Sequence, residues 1–167
     1  SSKNGVYSVT TLKCSFDGET MKAIDYGNDM HLNVERGLCE PSIALYNGTY
    51  YLTIRNDVKG YVTTSKDGLN YEPIKEWTFE DGGELGSYNT QQHWLTHSDG
   101  LFLIYTRRGA NNDNVFRNRA PLFMAQVDPE KLVVIRATEK ILMPNTGATA
   151  GKLGATTLKH NASWVTD

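Results

Sequence analysis

A chain of 167 residues holds one domain with a real core and is too short for two large ones. A net charge of -2, with 22% charged residues, gives no electrostatic basis for binding nucleic acid or an anionic membrane surface. No apolar run approaches the roughly 20 residues of a membrane-spanning helix, and the opening SSKNG shows no signal-peptide pattern.

In chain order, short β-branched and aromatic runs bounded by Gly, Asn and Asp recur, while helical periodicity with caps is nearly absent. The predicted strands are Val6–Cys14, Met21–Ile24, Ser42–Tyr46, Thr49–Arg55, Gly60–Thr64 and Tyr71–Glu76. They continue with Gln91–Thr96, Leu101–Arg107, Pro121–Gln126, Leu132–Ile141, Ala155–Lys159 and Ser163–Thr166. The chain is therefore expected to be all-β. Cys14 and Cys39 have no metal-ligand spacing and read as two small buried thiols or, alternatively, as a disulfide. No cofactor motif stands out. Two sequons, at Asn47 and Asn161, fall in predicted turns.

The strand list contains a repeat. SFDGETM (Ser15–Met21) and SKDGLNY (Ser65–Tyr71) share S-x-D-G-x-x-(large apolar), 50 residues apart, and QVDPEKL (Gln126–Leu132) is a weaker third copy. Asp caps nearby backbone N–H groups, Gly takes the positive φ, and the last large residue is expected to enter the core. Out of phase with this, the hairpins YNGTYYLTIR and HSDGLFLIYTR place Gly48 and Gly100 52 residues apart, with KHNASWVT as a weaker third. Four strands per unit of about 50 residues is the spacing of propeller blades. A small β-sandwich with accidental repeats is the competing reading.

Asn47-Gly48 is the signal for a two-residue type I′ hairpin loop. Counting back from it pairs Tyr46 with Thr49, Ala44 with Tyr51, Ser42 with Thr53 and Glu40 with Arg55. The opposite face, Pro41, Ile43, Leu45, Tyr50, Leu52 and Ile54, is almost wholly apolar, which specifies the register. Glu40 and Arg55 then read either as a cross-strand ion pair or as polar groups at the mouth of a pocket. A shift of 52 residues maps Glu40 onto Gln92 and Arg55 onto Arg107, so the mouth position is polar again.

The two Asp turns resemble a shortened form of the Asp-box, S-x-D-(x)-G-x-T-W, of the sialidase superfamily, with Met21 and Tyr71 where Trp is usual. In that family a Glu opens the inner strand of a blade and an Arg ends the next strand, just before an Asp-box. Glu40, Arg55 and Ser65–Tyr71 stand in that order. Another family arginine precedes a strand leading into a further Asp-box, and Arg119 in RNRAPLFMAQVD fits that place.

The resemblance covers nearly the whole chain and implies a β-propeller of sialidase type, six-bladed when complete, of which the chain forms about half. Residues 1–30 would end one blade, 38–80 and 88–143 would form the next two, and 153–167 would begin a fourth. The rest of the propeller, or another chain, would complete it. The family's nucleophilic Tyr is expected near the start of Gly154–Leu158, but the sequence there is GKLGATTL, with Ala155 at the matching place and no Tyr nearby.

The implied activity is hydrolysis of an acidic glycan, a sialic or uronic acid, whose carboxylate meets Arg55 and Arg119, with Arg107 and Gln92 also lining the pocket. Glu40 would act as base or orient a nucleophile. With Tyr absent, a non-catalytic carbohydrate-binding propeller, or a glycosidase or lyase using His93, stays open. On strict alternation His93 faces away from Gln92 and equally reads as a packing residue. Trp94 could stack on a sugar but reads more simply as core. The polar run Arg108–Asn118 is either a wall of the pocket beside Arg119 or a plain surface loop.

Overall fold

The computed structural model describes residues 2–3, 5–88 and 90–145, and among these the fold is all-β, built from several antiparallel sheets. β1 (Ser2–Lys3) pairs with β2 (Val6–Tyr7), and β3 (Leu12–Phe16) with β4 (Met21–Tyr26). A four-stranded meander follows: β5 (Cys39–Tyr46), β6 (Thr49–Arg55), β7 (Gly60–Ser65) and β8 (Lys75–Glu76). A second meander runs β9 (His93–His97), β10 (Gly100–Tyr105), β11 (Leu122–Asp128) and β12 (Val133–Val134). β13 (Lys140–Met143) also joins β11, past a bulge.

The predicted hairpin β5–β6 forms with the expected register from Tyr46–Thr49 to Ser42–Thr53. Asn47 and Gly48 both take positive φ, 47° and 73°, as a type I′ loop requires. Three other expectations need correction. Val6–Cys14 is not one strand: Thr10 and Thr11 turn their hydroxyls to Asp29 and the Gly68 carbonyl, and only Val9 bridges to Met30 between β2 and β3. Tyr71–Glu76 shrinks to Lys75–Glu76 plus one bridge at Tyr71, because Pro73 has no N–H to pair. Leu132–Ile141 is split by a 3-10 turn at Arg136–Thr138, where the Thr138 hydroxyl donates to the Ile135 carbonyl and accepts from the Gln126 N–H. Both halves lie on the same edge of β11. Ala155–Lys159, Ser163–Thr166 and the GKLGATTL stretch lie outside the described residues.

The Asp turns have the expected capping. Asp67 Oδ1 accepts from the N–H groups of Leu69 and Asn70, Asp17 Oδ1 from those of Glu19 and Thr20, and Asp128 Oδ1 from those of Glu130 and Lys131. The large residue after the turn is buried only in the second copy: Tyr71 is 6% exposed, Met21 69%.

The main core lies between the two meanders, where β5 and β9 run side by side. Trp94 belongs to it: its ring packs on Tyr51 and Trp77, and its Nε1–H donates to the Ser42 carbonyl, so it is not available to a sugar. A second core joins Leu38, Leu52, Ile54 and Tyr71 to Val9 and Met30. A third packs Ile104 and Leu122 against Val115 and Ala120 of the loop before β11. Full burial of Leu52, Ile54, Leu103 and Ile104 contributes roughly 1.5–3 kcal/mol each. Both cysteines are free thiols, and Cys14 is exposed rather than buried.

Candidate functional site

The site grows from one bulge. Arg55 stands opposite Cys39, not Glu40, because the ladder shifts between Cys39 and Ser42. Pro41 has no N–H for the ladder, and Glu40 takes a φ of 49°, in the left-handed region that a non-glycine residue rarely adopts. The backbone departs from the expected pairing, yet the side chains still meet: Arg55 Nη1 donates to Glu40 Oε2 at 2.6 Å. Strain of this kind, of order 1–3 kcal/mol, persists where the surroundings over-determine it.

Arg55, Asn56 and Asp57 each fix a different part of the surroundings. The Arg55 side chain is only 6% exposed and is held between two carboxylates, with Nη2 donating to Asp57 Oδ1 at 3.1 Å. Asn56 is fully buried; its Nδ2 donates to the carbonyls of Val34 and Gly37 and its Oδ1 accepts from the Val58 N–H. That tie brings Arg36 to Asp57, where Nε and Nη2 form a bidentate pair at 2.6 and 2.7 Å. The Arg36 hydrogen bonds hold the Asp57 carboxyl below the usual carboxylate range, against a smaller opposing effect of burial. The Arg36 guanidinium is correspondingly raised.

The loop between β10 and β11 brings two more cations. Asn112 and Asn118, both buried, lock it: Asn112 Nδ2 donates to the carbonyls of Arg107 and Ala120, and Asn118 Nδ2 donates to the Asn112 carbonyl. The Tyr88 hydroxyl donates to Asn118 Oδ1, and Arg108 lies over the Tyr88 ring while pairing with Glu84. The polar run is thus a loop tied in place by two buried asparagines. Arg117 and Asn118 take positive φ in its 3-10 turn, and Arg117 and Arg119 both lie over the Phe116 ring. Arg119 is lowered from its ordinary value, first by burial and then by the positive fields of Arg117 and Arg55, with Glu40 opposing. Among the described residues, Arg36 and Arg55 pair with the carboxylates of Asp57 and Glu40, and the fields of Arg117 and Arg119 reach the same two carboxylates.

The other sequence candidates lie around this cluster in different roles. Gln92 is buried; its Oε1 accepts from Thr53 Oγ1 at 2.6 Å, and it packs on Gly60, which pairs with Arg55. It forms a layer directly below Arg55. His93 opens β9, half-buried, opposite Ile104. Arg107 is occupied: Nε and Nη2 form a bidentate pair with Glu139 at 2.8 and 2.7 Å, and Nη1 donates to the carbonyls of Arg108 and Gly109. Its guanidinium also lies over the Phe123 and Phe79 rings.

Arg36, Asp57 and Arg117 were not singled out from the sequence. The run Arg55-Asn56-Asp57 at the end of a predicted strand and the pair of arginines in RNR were the available signals. On its other side, Glu40 lines a cavity of about 550 Å³ with Tyr7, Val9, Leu12, Tyr26 and Leu38, and it is the charged member of that lining.

No family model and no curated protein matches the chain. Among solved structures it is similar to a β-1,2-mannobiose phosphorylase from Listeria innocua, solved in complex with β-1,2-mannobiose, with a TM-score of 0.42 and 14% identity. The alignment covers 75% of this chain, which spans 35% of the length of that protein.

Proposed function

We propose that the chain is a sector of a sialidase-type β-propeller whose pocket takes an acidic glycan, a sialic or uronic acid, for hydrolysis. The observation that carries the reading is the cationic cluster around Glu40, in which Arg119 is half-buried in the positive field of Arg117 and Arg55. A glycan carboxylate suits the planar fork of a guanidinium. Glu40 is oriented by its ion pair with Arg55, as a group that takes a proton from water or from a nucleophile must be. The two meanders with adjacent first strands are what two neighbouring blades would give. Gln92, bonded to the Thr53 hydroxyl and packed on Gly60 opposite Arg55, supports the cluster, and His93 at the start of β9 is the alternative proton-transfer residue.

The absence of Tyr from GKLGATTL favours a second reading, a propeller that binds the glycan without cutting it. Turnover of sialosides and glucuronides by the native protein separates the two. On the first reading Arg119→Ala raises KM by at least about tenfold, one lost charge-assisted contact, while Glu40→Gln lowers kcat with KM little changed. Binding of the same glycans without release of sugar favours the second reading. Turnover unaffected by either substitution overturns the site assignment.

A further inference from the structure

The internal repeat sets one side of the molecule apart from the other. The strand before an Asp turn is β3 in the first copy, β7 in the second and β11 in the third. β7 pairs along its other edge with β6, and β11 with β10. In each case the strand pair immediately upstream, β5–β6 or β9–β10, supplies the partner and the sheet's first strand. Among the described residues β3 pairs with β4 alone, and the two-residue strands β1 and β2 pair with each other.

Burial follows the same division. Leu12 is 55% exposed, whereas Val62, the residue 50 positions on, is fully buried. Every residue of β3 and β4 is exposed, including Phe16, Met21, Ile24 and Tyr26. On β5, the face toward β9 is covered by Trp94, while Ile43 and Leu45 on the other face stand in water. An apolar sheet face beside a free strand edge is a template for further β-structure.

We propose that this face is covered by a strand pair of the same polypeptide lying upstream of β3, equivalent to β5–β6 and β9–β10. Its second strand pairs with the free edge of β3, and its first strand packs on Ile43 and Leu45. The mouth end of that first strand then enters the cavity between Tyr7, Tyr26 and Glu40. In both described sheets this position is polar, Glu40 in one and, at the offset of 51 that the two hairpin loops set, Gln91 in the other. The incoming strand therefore brings a polar side chain next to Glu40, and the pocket is complete only with it. The inference rests on the reading of the chain as a propeller sector, is carried by the repeat and by burial, and is independent of which sugar is bound.

Hydrogen exchange and thiol labelling on the native full-length protein test it together. The amides of residues 12–16 are expected to exchange as slowly as those of 60–65. A cysteine at Ile43 (Ile43→Cys), read site by site by mass spectrometry, should label at least about tenfold more slowly than one at exposed Ser98 (Ser98→Cys). Both protections should be independent of protein concentration. Protection that appears only as the protein dimerises overturns the proposal in favour of a second copy. Edge-strand exchange at 12–16 with equal labelling at the two cysteines overturns it outright.

Discussion

Arg55 and Arg107 lie 52 residues apart near the ends of β6 and β10, but they are not equivalent. The two-residue loops match Tyr46 with His97, an offset of 51 that puts Thr106 at the place of Arg55 and corrects the expected match with Arg107. Arg107 is closed off. One carboxylate, two carbonyls and two aromatic rings take up its guanidinium, and Tyr105 donates a further hydrogen bond to Glu139 at 2.6 Å. Arg55 is held by two separate carboxylates, one of which, Glu40, is strained, partly open to solvent and faces both Arg119 and a cavity. A one-residue difference in register puts the two cations on different strand positions, and their partner side chains decide how far each is closed off.

The difference can be broken from either side. Arg107→Ala leaves Glu139 buried without its cation and is expected to cost about 3–5 kcal/mol of stability, toward the low end because both side chains keep some water contact. Arg55→Ala should cost less, about 1.5–3 kcal/mol, because Asp57 keeps the bidentate Arg36 and Glu40 can turn to solvent. Denaturant unfolding of the two variants checks the order, and equal losses would remove the distinction. Gly60→Ala sharpens it further. A methyl group there collides with the Gln92 amide and Ser87 Oγ, and relief of that overpacking should cost about 1–3 kcal/mol and loosen the layer below Arg55.

The pH dependence has a definite sign. Burial alone would raise the Glu139 carboxyl, but hydrogen bonds from Arg107 and Tyr105 outweigh it and hold the carboxyl below its usual range. A depressed carboxylate contributes stability that is fully present above the unfolded value of about 4.3 and is lost as pH falls through the folded one. Glu139→Gln should therefore flatten the loss of stability below about pH 4. An unchanged acid limb would assign that loss to other carboxylates, Asp57 first. The smallest effect is expected at the exposed pair Lys59–Glu76, where Lys59→Ala should change stability by about 0–1 kcal/mol and so sets the baseline for the buried arginines.

Much of this was legible in the sequence where local chemistry decides. Asn47-Gly48 fixed the β5–β6 register as far as Ser42–Thr53, and the Asp turns formed with their caps. The count failed at Glu40 because the bulge depends on Pro41 and on a positive φ that no alternation rule contains. The Glu40–Arg55 contact survived because a long guanidinium reaches across one residue of slip. Arg36 was not legible, since only the buried Asn56 side chain, reaching back to Val34 and Gly37, brings it to Asp57. Nor was the fate of Arg107, whose partner Glu139 comes from a segment that reads as one continuous strand.

The most direct test of the cationic site is calorimetric titration of the native protein with a sialic or uronic acid glycoside and with its neutral carboxamide. The account predicts that the carboxylate binds at least about tenfold more tightly, that raising salt narrows the gap, and that Arg119→Ala removes it. Equal affinity for carboxylate and carboxamide in the unmodified protein would contradict it.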